Sequence, residues 1–211
     1  FMEEEFKNII SRVCDLYVKY GIRSFSMDDV ARELGISKKT LYKYVSEKKN
    51  LVDNAMEYYH NKLEKEIDEI YNLYPSTLNV IDILIHLSKV IINKINSLNP
   101  SIIYDLQKYY PTLWTEFMMR KRNYVYGRMI ENLKLGIKQG FYRDDLNIDI
   151  IARTYVIRME YLIKDYNYIS DNNKYKFDEI IKTVFLYHIR AISNEKGLEY
   201  IDKNVKINDI I

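Results

Sequence analysis

Very little in this sequence breaks a helix. Its 211 residues include three prolines and six glycines, and most of these stand between periodic apolar segments, as in an all-helical protein with short connections. The one cysteine, Cys14, excludes an intrachain disulfide and points to a reducing compartment, the cytoplasm. No apolar run approaches the ~18 residues of a membrane-spanning helix, so no membrane partner is expected. The opening FMEEEFKNII is acidic where a secretory signal would be basic, and Phe1, ahead of Met2, is set aside as a remnant. Phosphate-cradling and nucleophile motifs are missing as well: there is no G-x-x-x-x-G-K-S/T, no G-x-G-x-x-G and no G-x-S-x-G. Net charge is only +2, which by itself does not announce a nucleic-acid binder.

What is present is unevenly placed. Residues 37–49 carry Lys38, Lys39, Lys43, Lys48 and Lys49 against Glu47 alone, whereas from residue 50 onward 22 basic side chains balance 22 acidic ones. The 21 tyrosines, with much Ile, Lys and Asn, read as the codon bias of a low-GC genome rather than as tyrosine chemistry. The chain is long enough to bury a sizeable core without staples.

Apolar spacing divides the chain into about nine or ten helices. Phe6, Ile9, Ile10, Val13, Cys14, Tyr17 and Tyr20 mark one face of a helix over 3–20, closed by Gly21. Ser26, with Asp29 three residues on, opens a short second helix that stops at Gly35. Ser37 caps a third, to about Tyr44, and Ser46 a fourth, to about Asn72. Longer helices are expected over 76–97, between Pro100 and Pro111, and over 111–138, 148–168 and 175–193. There is no internal repeat and no low-complexity segment, and the tail after Asn204 is polar.

A helix followed by two short helices around Gly35-Ile36 is a helix-turn-helix arrangement, in which the second short helix would lie in a DNA major groove. The first turn of that helix holds Lys38, Lys39 and Thr40, whose donors suit phosphates or guanine acceptors. Tyr42 and Tyr44 offer hydroxyls to the backbone, and Lys48 stands near a neighbouring phosphate. Leu41 and Val45 should anchor the segment on Ile10, Val30 and Leu34. Charge and spacing alone fit equally a solvated lysine face on a helical protein–protein adaptor that does not read DNA.

The sequence Ser-Met-Asp-Asp-Val-Ala at 26–31, then Leu34-Gly35-Ile36-Ser37-Lys38, then Thr40-Leu41-Tyr42-Lys43-Tyr44, with Ser46, Lys48 and Leu51, resembles the DNA-binding domain of the TetR (tetracycline repressor) family. The resemblance covers residues 4–52, about a quarter of the chain. Lys39 stands where the family most often has a small residue, Val45 where it usually has Phe, and Ser46 replaces the common Pro; the room left by Val45 must be filled by another group. The resemblance implies a bacterial all-α regulator, a repressor, with a DNA-binding domain at 1–47 and a ligand-sensing and dimerisation domain at 48–211. It places Ser26, Ser37, Lys38, Lys39, Thr40, Tyr42, Tyr44 and Lys48 at the DNA face. It implies a homodimer on a palindromic operator, released when a small effector shifts the fourth helix. No cofactor is expected.

Two C-terminal helices carry apolar groups on more than one face and so need two partners. Residues 148–166 bear Ile148, Ile151, Ala152, Tyr155, Met159, Leu162, Ile163 and Tyr166, with Val156 and Ile157 on another side. In TetR-like proteins the last two long helices form the dimer interface, and Val156, Phe177, Ile181, Val184, Phe185 and His188 are the candidates for it here. Candidates for lining an effector pocket are His86, Tyr104, Trp114, Phe117, Met118, Tyr124, Tyr155 and Met159, a mix that suits a hydrophobic or aromatic ligand. An enzyme is not expected. Glu57-x-x-His60 has the spacing of a di-iron half-site, but Ile83 and Phe185 stand where His86 and His188 would need a glutamate, so no metal is assigned.

Overall fold

The computed structural model describes residues 2–72, 78–164 and 174–205. Among these the chain is all-α. The helices are α1 Met2–Tyr20, α2 Met27–Leu34, α3 Lys38–Leu41, α4 Lys48–Asn72, α5 Val80–Ser97, α6 Ser101–Tyr109, α7 Pro111–Lys138, α8 Ile148–Lys164, α9 Phe177–Ile192 and α10 Glu195–Asn204. One isolated antiparallel bridge joins Tyr142 to Ser193. The residues form two compact units: Phe1–Glu66 with Asn96–Lys121, and Ile67–Ile95 with Arg122–Ile211. Helices α4, α5 and α7 thus supply residues to both.

The first unit is built on α1. Its Glu3, Glu4 and Glu5 sit at the positive end of the helix dipole, and its apolar stripe of Ile9, Ile10, Val13, Cys14 and Tyr17 is buried. Gly21 ends it in the left-handed conformation, φ 89°, with its N–H bonded to Tyr17 O at 2.9 Å; any side chain there would also collide with the Ser101 hydroxyl. Val30, Ala31 and Leu34 of α2, Leu41, Val45, and Leu51, Val52 and Ala55 of α4 close one core over that stripe, and α6 adds Ile102 and Leu106. Each valine, leucine or isoleucine among them, fully buried, stabilises by about 1.5–3 kcal/mol. Polar ties fix α6 to the α1 end. Asn99 donates through its backbone N–H to Val18 O (2.8 Å) and through its side chain to Lys19 O (3.2 Å). Buried Asp105 accepts the Arg23 N–H at 3.1 Å.

Several boundaries differ from expectation. Helix α5 begins at Val80 because Asn79 accepts the N–H groups of Ile81 (2.9 Å) and Asp82 (3.1 Å), which makes it a cap. Ser46 does not cap α4: its hydroxyl bonds the Asn50 side chain, and α4 begins at Lys48. Helix α10 was not expected; Asn194 caps it by accepting the Gly197 N–H (3.0 Å). The Asn194 amide also donates to Gly140 O (3.0 Å) and Tyr142 O (3.2 Å), which locks the α7–α8 turn to α10.

The second unit has a core of Ile92, Leu162, Ile180 and Ile181. Buried Tyr142 lies over Gly136, where a methyl group would strike its ring, and donates to Asn132 Oδ1 at 3.1 Å. Tyr124 donates to Asp68 at 2.6 Å; Arg128 pairs with Asp68 and, at 2.6 Å, with Glu131. Among the described residues no helix is long and apolar enough to cross a membrane.

Candidate nucleic-acid interface

Residues 26–45 hold their shape through caps rather than length. Ser26 and Asp29 form a reciprocal box: the Asp29 N–H donates to Ser26 Oγ (3.2 Å), while the Ser26 N–H (3.0 Å) and hydroxyl (2.6 Å) donate to the Asp29 carboxylate. These bonds, helped by Arg32, hold the Asp29 carboxyl down at about 2. Gly35 takes φ 70°, a conformation costly for side-chain-bearing residues, and lets its own N–H and that of Ile36 close on Arg32 O (3.1 Å) and Ala31 O (3.0 Å). Arg12 of α1 donates to Leu34 O (3.0 Å) and Glu33 O (3.2 Å), covering the end of α2.

Ser37 then caps α3 by accepting the Thr40 N–H at 2.9 Å. The α-helical part is one turn, shorter than expected. It tightens into bonds from Lys43 N to Thr40 O and from Tyr44 N to Leu41 O, both 3.1 Å, a common way for a helix to end. Leu41, 0% exposed, and Val45 enter the same core as Ile10, Val30 and Leu34, as anticipated. Phe6 packs against that core and stacks on Tyr44, centroids 5.5 Å apart and planes 13° apart.

The eight residues expected at a DNA face are not equivalent. Ser37, Lys38, Lys39 and Tyr42 are exposed, and Thr40 is half-buried with its hydroxyl 2.7 Å from that of Ser37. Lys38 pairs with Asp28 at 2.7 Å, an exposed contact that exchanges readily. The Ser26 hydroxyl is committed to its box. Two residues depart from the expectation. Tyr44 is turned toward α1, stacked on Phe6 with its hydroxyl bonded to Glu5, which raises its pKa. Lys48 is half-buried and donates to Ile22 O (2.9 Å) and Phe25 O (2.6 Å), so it clamps the α1–α2 connection to the start of α4; burial lowers its pKa, with Arg23 adding to the effect. Lys43 was missed. It is exposed, four residues on from Lys39, and neither lysine has an ion-pair partner among the described residues. The i, i+4 spacing in the lysine run was the available signal.

The eight sensor candidates do not form one group. Tyr104, Trp114, Phe117 and Met118 belong to the first unit; His86, Tyr124, Tyr155 and Met159 to the second. His86 needs correction: it is exposed, whereas Ile83, Leu84 and Leu87 of the same helix are buried. Tyr104 does too: it is exposed, its hydroxyl accepting from Lys108 at 2.7 Å. Trp114 stacks on Phe117, whose ring meets that of His60 edge-on at 5.5 Å. Met118 is half-buried. Tyr155 is buried with its ring 4.7 Å from that of His188, and Met159 is partly buried against the second core. No cluster of three metal-ligating side chains occurs among the described residues, and His60 faces Glu64 at 2.9 Å.

The interface candidates also need correction. Val156, Ile181, Phe185 and His188 are buried within the chain itself, and Phe177 and Val184 pack against the same core. The apolar groups left open on α8 and α9 are Ile150, Ile157 (64% exposed), Tyr161 and Tyr187 (71%). The two-faced pattern was legible, but which face turns inward was not. Ile163 and Tyr166 of the α8 stripe lie outside the side chains described.

A single capped turn held on a three-helix body, with lysines and a tyrosine outward, is the architecture of a helix-turn-helix reader. Residues 9–55 match the model of bacterial regulatory proteins of the tetR family. Over 108 residues the chain is 31% identical to the uncharacterized HTH-type transcriptional regulator YvaF of Bacillus subtilis strain 168. That match covers 51% of this chain and 55% of the relative, so it spans about half the length of the curated protein. Among solved structures, a transcriptional regulator from Cytophaga hutchinsonii ATCC 33406 shares the fold with a TM-score of 0.66 at 21% identity, over 90% of this chain and 99% of that one. The fatty acid degradation regulator FadR from Bacillus halodurans does so at 0.61 and 14%, over 86% and 93%. The N-terminal segment thus carries the DNA-binding domain of tetR-family regulators, and the chain shares its fold with these transcriptional regulators.

Proposed function

We propose that this protein is a ligand-responsive transcriptional repressor that binds a palindromic DNA operator as a homodimer. The observation that carries the reading is the segment from Ser37 to Val45: Leu41 and Val45 fix it in the core while Lys39, Tyr42 and Lys43 stay exposed on a capped turn. Seated in a major groove, Lys39 and Tyr42 reach base edges or phosphates, and Lys38 exchanges Asp28 for a phosphate oxygen. The open apolar residues Ile150, Ile157, Tyr161 and Tyr187 on α8 and α9 supply the second-subunit contact, and pairing sets the spacing of the two readers. The domains divide functionally near residue 47, with 48–211 sensing and dimerising. The effector is a small molecule with a hydrophobic or aromatic body. Its binding shifts α4, and Lys48 transmits the shift to the α1–α2 connection that it grips.

Binding selection from a random duplex library at physiological salt tests this. An enriched palindrome, with half-sites about one helical turn apart, is the expected result. A folded, dimeric protein stripped of ligand by refolding that enriches no sequence would refute the DNA reading and favour a protein adaptor.

A further inference from the structure

Arg158 is the odd arginine of the second unit. The other five each hold a carboxylate: Arg122 with Glu160, Arg128 with Asp68 and Glu131, Arg143 with Asp145, Arg153 with Asp149, and Arg190 with Asp202. Arg158 has none among the described residues. Its Nε and Nη2 are buried and without a hydrogen-bond partner. Those two nitrogens form one edge of the guanidinium, the same edge with which Arg122 grips Glu160 (3.0 and 2.7 Å) and Arg143 grips Asp145 (2.9 and 2.7 Å). A planar fork of this kind matches a carboxylate with two parallel bonds.

The surroundings extend the site. The guanidinium lies 5.8 Å from the ring centre of Tyr155, and that ring is 4.7 Å from His188. His188 is 5% exposed, and its Nε2 also has no partner. Burial, helped by the Arg158 charge, pushes its pKa down to about 3, so the imidazole is neutral and supplies a hydrogen bond rather than a second charge. One residue after Arg158 and four before His188 on the same helices, Met159 and Val184 are partly buried apolar groups. A charge buried with unpaired donors is costly, and a molecule that pairs it gains what the free protein forgoes.

We infer that Arg158, with His188 and Tyr155 beside it, recognises the carboxylate of a small organic acid whose apolar body lies along Met159 and Val184. This rests on the effector reading and narrows its class to an anion. The fork edge is closed to water, so the acid enters by displacing the side chains over it. Differential binding to the opened arrangement is what an effector needs to shift a conformational equilibrium.

The test needs no DNA, so its failure and that of the operator reading are separable. Ligand-free dimer is titrated with benzoate and decanoate, and with benzyl alcohol and decanol, by calorimetry and thermal melting. At least one acid should bind and raise the Tm, while its alcohol binds at least tenfold more weakly. Arg158→Met, and independently Arg158→Gln, should fold, remain dimeric, melt no lower than wild type without ligand, and lose the preference for acid. Equal binding of acid and alcohol, or no binding by any acid of the panel, overturns the inference. So does a variant that melts lower and sediments as monomer, because Arg158 would then be paired by a carboxylate of the second copy.

Discussion

Replacing Lys48 by Met separates a structural clamp from a DNA contact. The ammonium makes two charge-assisted bonds, to Ile22 O at 2.9 Å and Phe25 O at 2.6 Å. Bonds to a charged group contribute about 1.5–3 kcal/mol each. The lysine is only half-buried, its own desolvation opposes the gain, and water can replace it at both carbonyls, so the net loss should be about 1–3 kcal/mol. For a chain of this size that lowers Tm by roughly 2–10 °C. Thermal melting measures it, paired with DNA affinity at several salt concentrations. A phosphate contact carries about 0.9 in the slope of log K against log salt, or about 1.8 for both copies of a dimer. Lys48→Met should melt early and keep the wild-type slope, while Lys39→Ala should melt normally and lose slope. If Lys48→Met melts with wild type and loses as much slope as Lys39→Ala, the ammonium is a phosphate ligand and the clamp is refuted.

Tyr142→Phe strands Asn132 Oδ1 in a buried site and should cost roughly 1–3 kcal/mol in urea unfolding. The Asp29 carboxyl is held at about 2, below its ordinary 3.8, chiefly by the Ser26 hydroxyl; the stability it gives is therefore present above about pH 4 and lost as pH falls toward 2. Asp29→Asn should flatten that part of the acid-melting curve, and an unchanged curve would show that the box does not govern it. Ile157→Asp, on the open face of α8, should give monomers in sedimentation, whereas persistence of the dimer would place the contact elsewhere.

The local features were legible because they are written in local chemistry. Ser26 with Asp29, Gly35 and Ser37 are caps whose residue types specify the bond, and each occurs as read. The anchoring of Leu41 and Val45 followed from their i, i+4 spacing. Tyr44 and Lys48 were misplaced because their partners, Phe6 with Glu5 and the carbonyls of Ile22 and Phe25, are distant in sequence or are backbone atoms common to every residue. His188 and Phe185 went astray for a related reason: a helix apolar on two sides does not say which side meets its own chain. Arg158 was not singled out at all, since an arginine whose guanidinium edge is buried looks like any other until its neighbours are known.

Contact geometry also changes what the lysine run can do. The sequence places five lysines between residues 37 and 49, but they are not five free charges. Lys38 is paired with Asp28 and Lys49 with Asp53, and Lys48 is spent on backbone carbonyls. Lys39 and Lys43 remain. On the proposed reading one reader then neutralises two or three phosphates, counting Lys38 if it leaves Asp28, for a salt slope of about 2–3, too little for a stable complex at physiological salt. Two readers double the exponent, which multiplies the affinities rather than adding them. On that reading the dimer is a condition of DNA binding and not an accessory to it: Ile157→Asp should abolish operator binding even though it touches no residue of the proposed DNA face, and a monomeric variant that kept near-wild-type affinity would mean the charge count at α3 is wrong.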